Sequence, residues 1–241
     1  MSNELDLNNI PKHLGVILDG NRRFAKKLMK EPWNGHESGV ETVKRFLDWC
    51  KEFKIKEITL YVFSIQNFNR PKVEFDFLMK LFKKEFSYYL TEAGFKELEK
   101  DKVRINFIGR INLFPKEIYE IMLELQEKTK NFDNYQVNLA IAYGSKEEII
   151  DAVKRLIEDI TSNKISKENI NEKLFEKYLY MNSNPDMIIR TGGELRTSNF
   201  LAWQSAYSEW FFIKKTWPEF TKEDFIKCLK EYSQRNRRFG K

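Results

Sequence analysis

The stretch that decides the fold is His13-Leu14-Gly15-Val16-Ile17-Leu18-Asp19-Gly20-Asn21-Arg22-Arg23-Phe24-Ala25-Lys26-Lys27. Residues 14–18 have the length and apolar composition of a buried strand, and the basic residues from Arg22 onward open a helix. Open α/β sheets bind ligands at the carboxyl ends of their strands, and helix N-termini favour anions. The stretch therefore predicts an anion site in which Asp19 could hold a metal ion that bridges to a phosphate. The alternative is an ordinary helix cap beside a solvated basic turn.

The composition limits the classes of partner. The chain has 241 residues and a formal charge of +6, so phosphorylated small molecules, nucleic acid or an acidic membrane surface are the expected partners. Its two cysteines, Cys50 and Cys228, form no CxxC pair and give no indication of zinc. Residues 1–12 are polar, and no run approaches about 18 apolar residues. These features favour a cytoplasmic protein with at most peripheral membrane contact.

Strand and helix patterns alternate along the chain. Apolar runs predict strands at residues 14–18, 58–63, 103–108, 136–143 and 186–190 and a sixth beginning at 209. Helical spacing between them predicts helices that include one long helix over 72–98. We therefore expect an α/β fold with a central, mostly parallel six-stranded sheet flanked by helices. Residues 1–241 would form a single domain, with a polar segment at 1–12 and a basic tail at 235–241.

Polar residues also follow the second predicted strand. Ser64, Asn67 and Arg70 stand at its end, before a proline at a helix start. His36 lies at the start of an earlier helix, where a histidine caps, packs or donates to a phosphate. An aromatic stripe on the long helix begins beside this segment and indicates either core or the wall of a tunnel for a hydrocarbon chain. The stripe contains Phe75, Leu78, Met79, Phe82 and Phe86.

The last third of the chain holds two further candidates. The fifth predicted strand ends at Arg190, and a pair of glycines after it frees the backbone to approach a ligand. Arg190, Arg196 and Ser198 are thus a candidate phosphate clamp. Glu209 stands at the edge of an aromatic strand, where an acid is costly unless it is paired or bound to a metal.

Five blocks, in a fixed order from His13 to Gly240, resemble the cis-prenyltransferase family of undecaprenyl and dehydrodolichyl diphosphate synthases. The blocks are residues 19–25 (DGNRRFA), 35–39 (GHESG), 63–71 (FSIQNFNRP), 142–149 (AYGSKEEI), and 189–204 (IRTGGELRTSNFLAWQ) with Trp217-Pro218. One block alone is weak, whereas the set is specific. The resemblance implies sequential condensation of isopentenyl diphosphate with an allylic diphosphate (farnesyl or geranylgeranyl diphosphate). The product would be a long-chain cis-polyprenyl diphosphate, the precursor of a glycosyl carrier lipid, made with release of diphosphate.

The resemblance also implies residue roles. Asp19 would hold Mg²⁺ on the allylic diphosphate, and Glu209 would complete the metal site. Gly20, Asn21, Arg22, Arg23 and His36 would cradle the allylic diphosphate, and Arg190, Arg196 and Ser198 would bind isopentenyl diphosphate. Further expected substrate contacts are Phe24, Ser64, Ile65, Gln66, Phe68, Arg70 and Thr197. A homodimer is implied as well, in which Arg238 and Gly240 of the tail contact the partner's site, together with peripheral membrane contact for product release.

Asn67 is the second catalytic candidate, because the family often assigns the proton acceptor to this position. A neutral amide is a poor base, so we expect Asn67 to orient the reacting group while a diphosphate oxygen accepts the proton.

This chain departs from the family pattern at three places. Pro32 replaces an arginine four residues before His36, and Lys27 or Lys30 is the expected substitute for the missing phosphate contact. Gln66 replaces a glutamate, which removes a charge between the two substrate sites. Residues 145–146 (SK) replace Gly-Arg, and we expect this second change to matter only structurally. The residues Arg22, Ile65 and Phe68 are more similar to the archaeal and eukaryotic branch of the family.

Three other functions stay open at this point. A non-catalytic partner subunit of the same family is disfavoured because such subunits tend to lose the aspartate and arginines that are present here. A nucleic-acid-binding protein would use the basic charge, but the chain contains no recognisable binding module, and no nucleic-acid partner is expected. A phosphohydrolase would use Asp19 and Mg²⁺, and would release orthophosphate instead of diphosphate.

Overall fold

The structure, a computed structural model, describes residues 9–235. Six strands within this range form one sheet in the order β3-β4-β2-β1-β5-β6, and every neighbouring pair is parallel. The strands are β1 (His13–Ile17), β2 (Glu57–Ser64), β3 (Val103–Ile108), β4 (Tyr135–Tyr143), β5 (Met187–Arg190) and β6 (Glu209–Phe212). The expected α/β class with a six-stranded sheet is confirmed, and the sheet is wholly parallel.

Helices connect the strands and cover both faces of the sheet. The described residues contain α1 (Asn21–Lys27), α2 (Gly35–Glu52), α3 (Lys72–Tyr88), α4 (Glu92–Asp101), α5 (Lys116–Thr129), α6 (Ser145–Thr161), α7 (Glu172–Glu176) and α8 (Lys222–Gln234). None of these helices is long and apolar enough to span a membrane. The expected tail contacts Arg238 and Gly240 lie outside the described residues.

β1 occupies the position that organises the site. It lies between β2 and β5, and all five of its residues are buried because helices pack on both faces. The chain moves from β1 to β2 on one side of the sheet and returns to β5 on the other, so β1 marks the point where the winding reverses. Residues that follow β1, β2 and β5 meet there at the carboxyl edge, as expected for ligand sites in such sheets.

The expected single helix over residues 72–98 is wrong, because it is divided into α3 and α4. Thr91 is the N-cap of α4, and its Oγ1 accepts a hydrogen bond from the Gly94 amide at 3.2 Å. A Cβ at Gly94 would lie 2.2 Å from the Tyr88 carbonyl oxygen, so the glycine lets the start of α4 pack closely on the end of α3. A capping threonine and a glycine three residues later therefore turn the chain.

An aromatic cluster fixes α2 against the carboxyl edge of the sheet. Phe46 packs on Phe225 of α8 with ring centroids 5.0 Å apart, and on Trp217 at 5.5 Å. The indole Nε1 of Trp217 donates to the Gly39 carbonyl oxygen at 2.9 Å. These contacts hold the first turns of α2, which carry His36, beside the loop that follows β1.

Candidate active site

Asp19 lies just past the end of β1, between two guanidinium groups. Its Oδ1 accepts from Arg23 Nη2 and its Oδ2 from Arg190 Nη2, both at 2.9 Å. The Asp19 carbonyl oxygen accepts from the Thr191 hydroxyl at 2.8 Å and from the Trp217 amide at 2.9 Å. Two segments distant in sequence therefore fix both the backbone and the carboxylate of Asp19.

Three glycines bring the starts of α1 and α2 together. Gly20 has a φ of 107°, in the left-handed region that a side chain disfavours. A Cβ at Gly35 would lie 2.0 Å from the Asn21 carbonyl oxygen, and one at Gly39 would lie 2.4 Å from Asn21 Oδ1. Because neither position has a side chain, Asn21 packs directly on α2 and His36 faces the residues that follow Asp19.

A buried carboxylate lies behind this surface. Glu74, in the first turn of α3, is only 1% exposed, and its Oε1 accepts from Arg70 Nη1 at 2.7 Å. His36 Nε2 is 3.5 Å from Glu74 Oε1 and 3.2 Å from Arg70 Nη1, and Arg22 Nε is 3.7 Å from Glu74 Oε2. Burial lowers the pKa of His36, and the hydrogen bond to His36 is the largest cause that lowers the pKa of Glu74. The cluster thus holds a charged carboxylate and a neutral imidazole at neutral pH.

Sequence reasoning missed Glu74. The sequence feature that could have identified it is an acidic residue four positions after Arg70, between the apolar residues Val73 and Phe75 of a helix. This spacing places both residues on one helix face, where an ion pair can form.

The segment after β2 forms a short helical turn that is capped from within. Asn67 Oδ1 accepts from the Ser64 amide at 3.0 Å, and the Ser64 side chain accepts from the Asn67 amide in return. Ser64, Gln66 and Asn67 line the cavity described below, whereas Ile65 and Phe68 pack against the hydrophobic core. Neither Ile65 nor Phe68 borders either cavity, and their expected contacts with substrate stay predictions.

The clamp predicted after β5 is assembled in part. Arg190 is 3% exposed, and its Nη1 donates to Ser198 Oγ at 2.7 Å and to the Arg196 carbonyl oxygen. The Arg196 guanidinium lies at the cavity mouth, where it is 62% exposed and paired with Glu194 at 2.5 Å. Arg190 and Ser198 thus form the fixed part of the clamp, whereas the Arg196 guanidinium is held at the surface by Glu194.

Two adjoining cavities open at this edge. The larger, of about 980 Å³, is in the upper range of ligand sites, and the smaller is about 380 Å³. They share Leu18, Asp19, Asn21, His36 and Arg70. Gly20, Arg22, Arg23 and Lys26 line the smaller one. Arg190, Arg196, Ser198 and Asn199 line the larger one.

Away from this polar end, most of the larger cavity is lined by apolar side chains, although Lys44, Asp48, Lys51, Glu85 and Glu97 also border it. α2 contributes Val40, Val43 and Leu47, and α3 contributes Leu78, Phe82 and Phe86. At the far end the lining includes Tyr135 and Val103, the first residues of β4 and β3. Ser64, at the polar end of the cavity, pairs with Tyr143 of β4, so the lining extends over the eight residue steps from Tyr135 to Tyr143, roughly 25 Å at about 3.3 Å per residue.

Two residues expected in the tunnel lining do not reach it. Phe75 packs against Phe63 and Phe68, with ring centroids 6.4 and 5.9 Å away, and Met79 is part of the hydrophobic core. Helical spacing identified the apolar face of α3, but only part of that face borders the cavity.

Glu209 is not beside Asp19. It is the first residue of β6 and pairs with Met187, three residues before Arg190. This offset places it roughly 10 Å from the carboxyl edge of the sheet, at about 3.3 Å per residue. Its carboxylate pairs instead with Arg235. Because β6 runs parallel to β5, one copy of the chain does not bring the two expected metal ligands together.

Several other expected contacts differ from the geometry. Phe24 is half-buried and Thr197 is exposed, and neither borders the two cavities. Lys27, an expected substitute for the arginine replaced by Pro32, forms an ion pair with Glu219 at 2.9 Å. Lys26, and not Lys27, borders the smaller cavity.

The donors at Asp19 suit a magnesium ion that is shared with a substrate. Among residues 9–235, no three histidine, cysteine or acidic side chains gather to hold a metal. Magnesium in phosphate sites is bound through one or two carboxylates together with phosphate oxygens, so the single carboxylate of Asp19 fits this mode.

Comparisons with known sequences agree with this site. A family model described as putative undecaprenyl diphosphate synthase matches residues 17–240. A tritrans,polycis-undecaprenyl-diphosphate synthase (geranylgeranyl-diphosphate specific) from Methanocaldococcus jannaschii is 46% identical over 241 residues, which is 98% of this chain and 85% of the relative. The protein of the same name from Pyrococcus abyssi is 45% identical over 234 residues, 96% of this chain and 88% of the relative.

Solved structures have the same fold. The crystal structure of lavandulyl diphosphate synthase from Lavandula x intermedia, in complex with dimethylallyl diphosphate, has a TM-score of 0.88 and 28% identity, and covers 97% of this chain and 100% of that chain. A probable undecaprenyl diphosphate synthase from Campylobacter jejuni has a TM-score of 0.78 and 35% identity, with both chains fully covered. The family expected from the five sequence blocks is therefore confirmed, and the chain belongs to the undecaprenyl diphosphate synthase family of prenyltransferases.

Proposed function

We propose that this chain condenses isopentenyl diphosphate with geranylgeranyl diphosphate to build a long-chain cis-polyprenyl diphosphate, the precursor of a glycosyl carrier lipid. The observation that carries the proposal is one cavity with arginines and a carboxylate at its polar end and a mainly apolar body of roughly 25 Å, at about 3.3 Å per strand residue. An amphipathic diphosphate fits such a space. The primer is inferred from the names of the relatives that are 46% and 45% identical.

The two cavities suggest how the substrates divide between the polar residues. We assign the allylic diphosphate to the smaller cavity, which is lined by Arg22, Arg23, His36 and Arg70. Its hydrocarbon chain would lie in the larger cavity along α3. Isopentenyl diphosphate would bind Arg190, Ser198 and Arg196. Fixed guanidinium groups stabilise the negative charge that develops as diphosphate leaves. The apolar side chains that line most of the cavity would shield the allylic cation from water.

Asp19 is the residue of this chain that we assign to Mg²⁺. When bound there with substrate, the ion would neutralise the leaving diphosphate. Glu209 is left out of this assignment because β6 places it away from the carboxyl edge.

Asn67 is assigned a positioning role. Its carboxamide oxygen caps the turn after β2, so it holds Ser64 and Gln66 at the cavity wall. A diphosphate oxygen would accept the proton lost on condensation. An Asn67→Ala variant with near-normal turnover would exclude an essential role.

The decisive experiment uses purified protein, Mg²⁺, radiolabelled isopentenyl diphosphate and, separately, geranyl, farnesyl and geranylgeranyl diphosphates. We expect butanol-extractable label with a ladder of products on thin-layer chromatography, and the fastest reaction with geranylgeranyl diphosphate. Release of orthophosphate without incorporation would support a phosphohydrolase. Folded protein that incorporates no label with any primer would support a non-catalytic partner subunit.

We also propose a homodimer that contacts the membrane peripherally. Ile150, Val153 and Ile157 on α6 are 52%, 37% and 55% exposed and follow helical spacing, so they are candidates for the subunit contact.

Leu28 and Met29, 50% and 98% exposed, follow the basic end of α1 beside the smaller cavity and are candidates for the membrane contact. Sedimentation velocity and flotation with anionic vesicles test the two proposals separately.

A further inference from the structure

Glu74 is a carboxylate buried behind the polar end of the cavities. Burying a charge is costly unless it is paired, and Glu74 has its partners in Arg70 at 2.7 Å, His36 at 3.5 Å and Arg22 at 3.7 Å. These three partners line the smaller cavity, whereas Glu74 lines neither cavity. Its carboxylate therefore acts on the cavity through its partners.

We propose that Glu74 is a positioning residue for the allylic diphosphate, which fixes Arg70 and His36 in the orientation that binds it. The inference rests on the proposed function and assigns a residue outside the expected substrate contacts to the same site.

The geometry around Arg70 supports this role. Arg70 Nη1 makes both contacts, to Glu74 Oε1 at 2.7 Å and to His36 Nε2 at 3.2 Å. The other N–H groups of a guanidinium remain available for an anion, and Arg70 borders both cavities. Arg22 and Arg70 also repel each other when no diphosphate is bound, and a carboxylate between them offsets that repulsion. Glu74 thus prepares the cationic site without presenting its own charge to the substrate.

The test compares Glu74→Gln with wild type in steady-state assays in which each substrate is varied in turn. We expect the KM for geranylgeranyl diphosphate to rise about tenfold or more, because a charge-assisted hydrogen bond is lost. The KM for isopentenyl diphosphate should stay within about twofold, because Arg190 and Ser198 are unaffected. Glu74→Asp, which keeps the charge, should recover part of the loss. Asp76→Asn is the matched control, since Asp76 forms an exposed i,i+4 pair with Lys72 on the same helix.

Equilibrium binding of geranylgeranyl diphosphate alone separates this inference from the proposed function. Weaker binding by Glu74→Gln than by wild type supports the positioning role even if neither protein forms product, in which case only the proposed function fails. Unchanged or tighter binding overturns the inference. A parallel loss for both substrates together with a lower Tm also overturns it, because Glu74 would then serve only the fold.

Discussion

Arg190 Nη2 lies 2.9 Å from Asp19 Oδ2, so one ion pair joins the ends of β5 and β1. The other terminal nitrogen of Arg190 donates to Ser198 Oγ at 2.7 Å. One buried guanidinium therefore contacts both the residue assigned to magnesium and a residue assigned to isopentenyl diphosphate. Under these assignments the two substrates would lie next to each other.

Arg190→Lys should test that junction. Lysine keeps the positive charge but cannot reproduce a planar fork that reaches two partners at once. We expect kcat/KM for isopentenyl diphosphate to fall roughly 100-fold, in the range found when one fixed donor to a developing charge is removed. Arg45→Lys, at an exposed position on α2 that borders neither cavity, is the control and should stay near wild type. A variant Arg190→Lys within about twofold of wild type would contradict the assignment.

Gly35→Ala should show how strictly the site depends on close packing. The new Cβ would lie 2.0 Å from the Asn21 carbonyl oxygen, so α1 and α2 must separate. We expect a destabilisation of about 1–3 kcal/mol, as for other overpacked sites, and a loss of activity because His36 moves with α2. Urea unfolding and initial rates measure the two effects. Glu41→Ala, on the exposed face of the same helix, is the control and should change neither stability nor activity. A fully stable and active Gly35→Ala protein would show that the contact between Gly35 and Asn21 can relax.

The sequence was sufficient to predict the strands and the polar residues that follow them. In a parallel sheet all strands end at one edge, so Asp19, Ser64 and Arg190 had to lie near one another once β1, β2 and β5 were recognised as neighbours. The glycines at 35 and 39 were part of a motif, but their reason is visible only as contacts with Asn21.

Other features depend on tertiary geometry that a pattern does not carry. Helical spacing placed Phe75 and Met79 on the same face as Leu78 and Phe82, but the elements packed against that face decide which of them borders the cavity. Glu209 was placed with Asp19 because both belong to the motifs of one family. The register of β6 against β5 separates them, and register cannot be read from residue types alone.

Stability should fall as the solution becomes acidic, in part because of His13. This residue is 4% exposed, and its Nε2 lies 2.8 Å from Thr59 Oγ1. Burial lowers the pKa of His13, and this effect outweighs the negative charges of Glu57 and Asp186, which raise it. The unfolded chain, with a histidine pKa near 6.5, then binds more protons than the folded chain below about pH 7. His13 therefore gives its full contribution above that pH and loses it as the pH falls through the unfolded value.

His13→Gln measures this contribution. The free energy of unfolding of wild type should drop between about pH 7.5 and 5.5, with a slope of up to about 1.4 kcal/mol per pH unit for each such histidine. The variant should show a smaller slope, to which His36, whose pKa burial lowers, contributes in the same direction and Glu148, whose pKa burial raises, in the opposite direction. Identical slopes for the two proteins, from urea unfolding at three pH values, would mean that His13 does not titrate differently on folding.

Product length should depend on Tyr135. Its side chain stands at the far end of the larger cavity, where β4 begins, with the Lys56 ammonium 4.3 Å from the ring centroid. Tyr135→Ala removes a ring from the end wall, so a growing chain can extend further before it meets protein. We expect products longer by one or more isoprene units, with little change in the rate of the first condensation, because the polar end is untouched. Leu123→Ala on α5 is the control, since Leu123 is 43% exposed. Labelled products are sized by thin-layer chromatography, and an unchanged ladder from an active Tyr135→Ala protein would show that chain growth stops elsewhere.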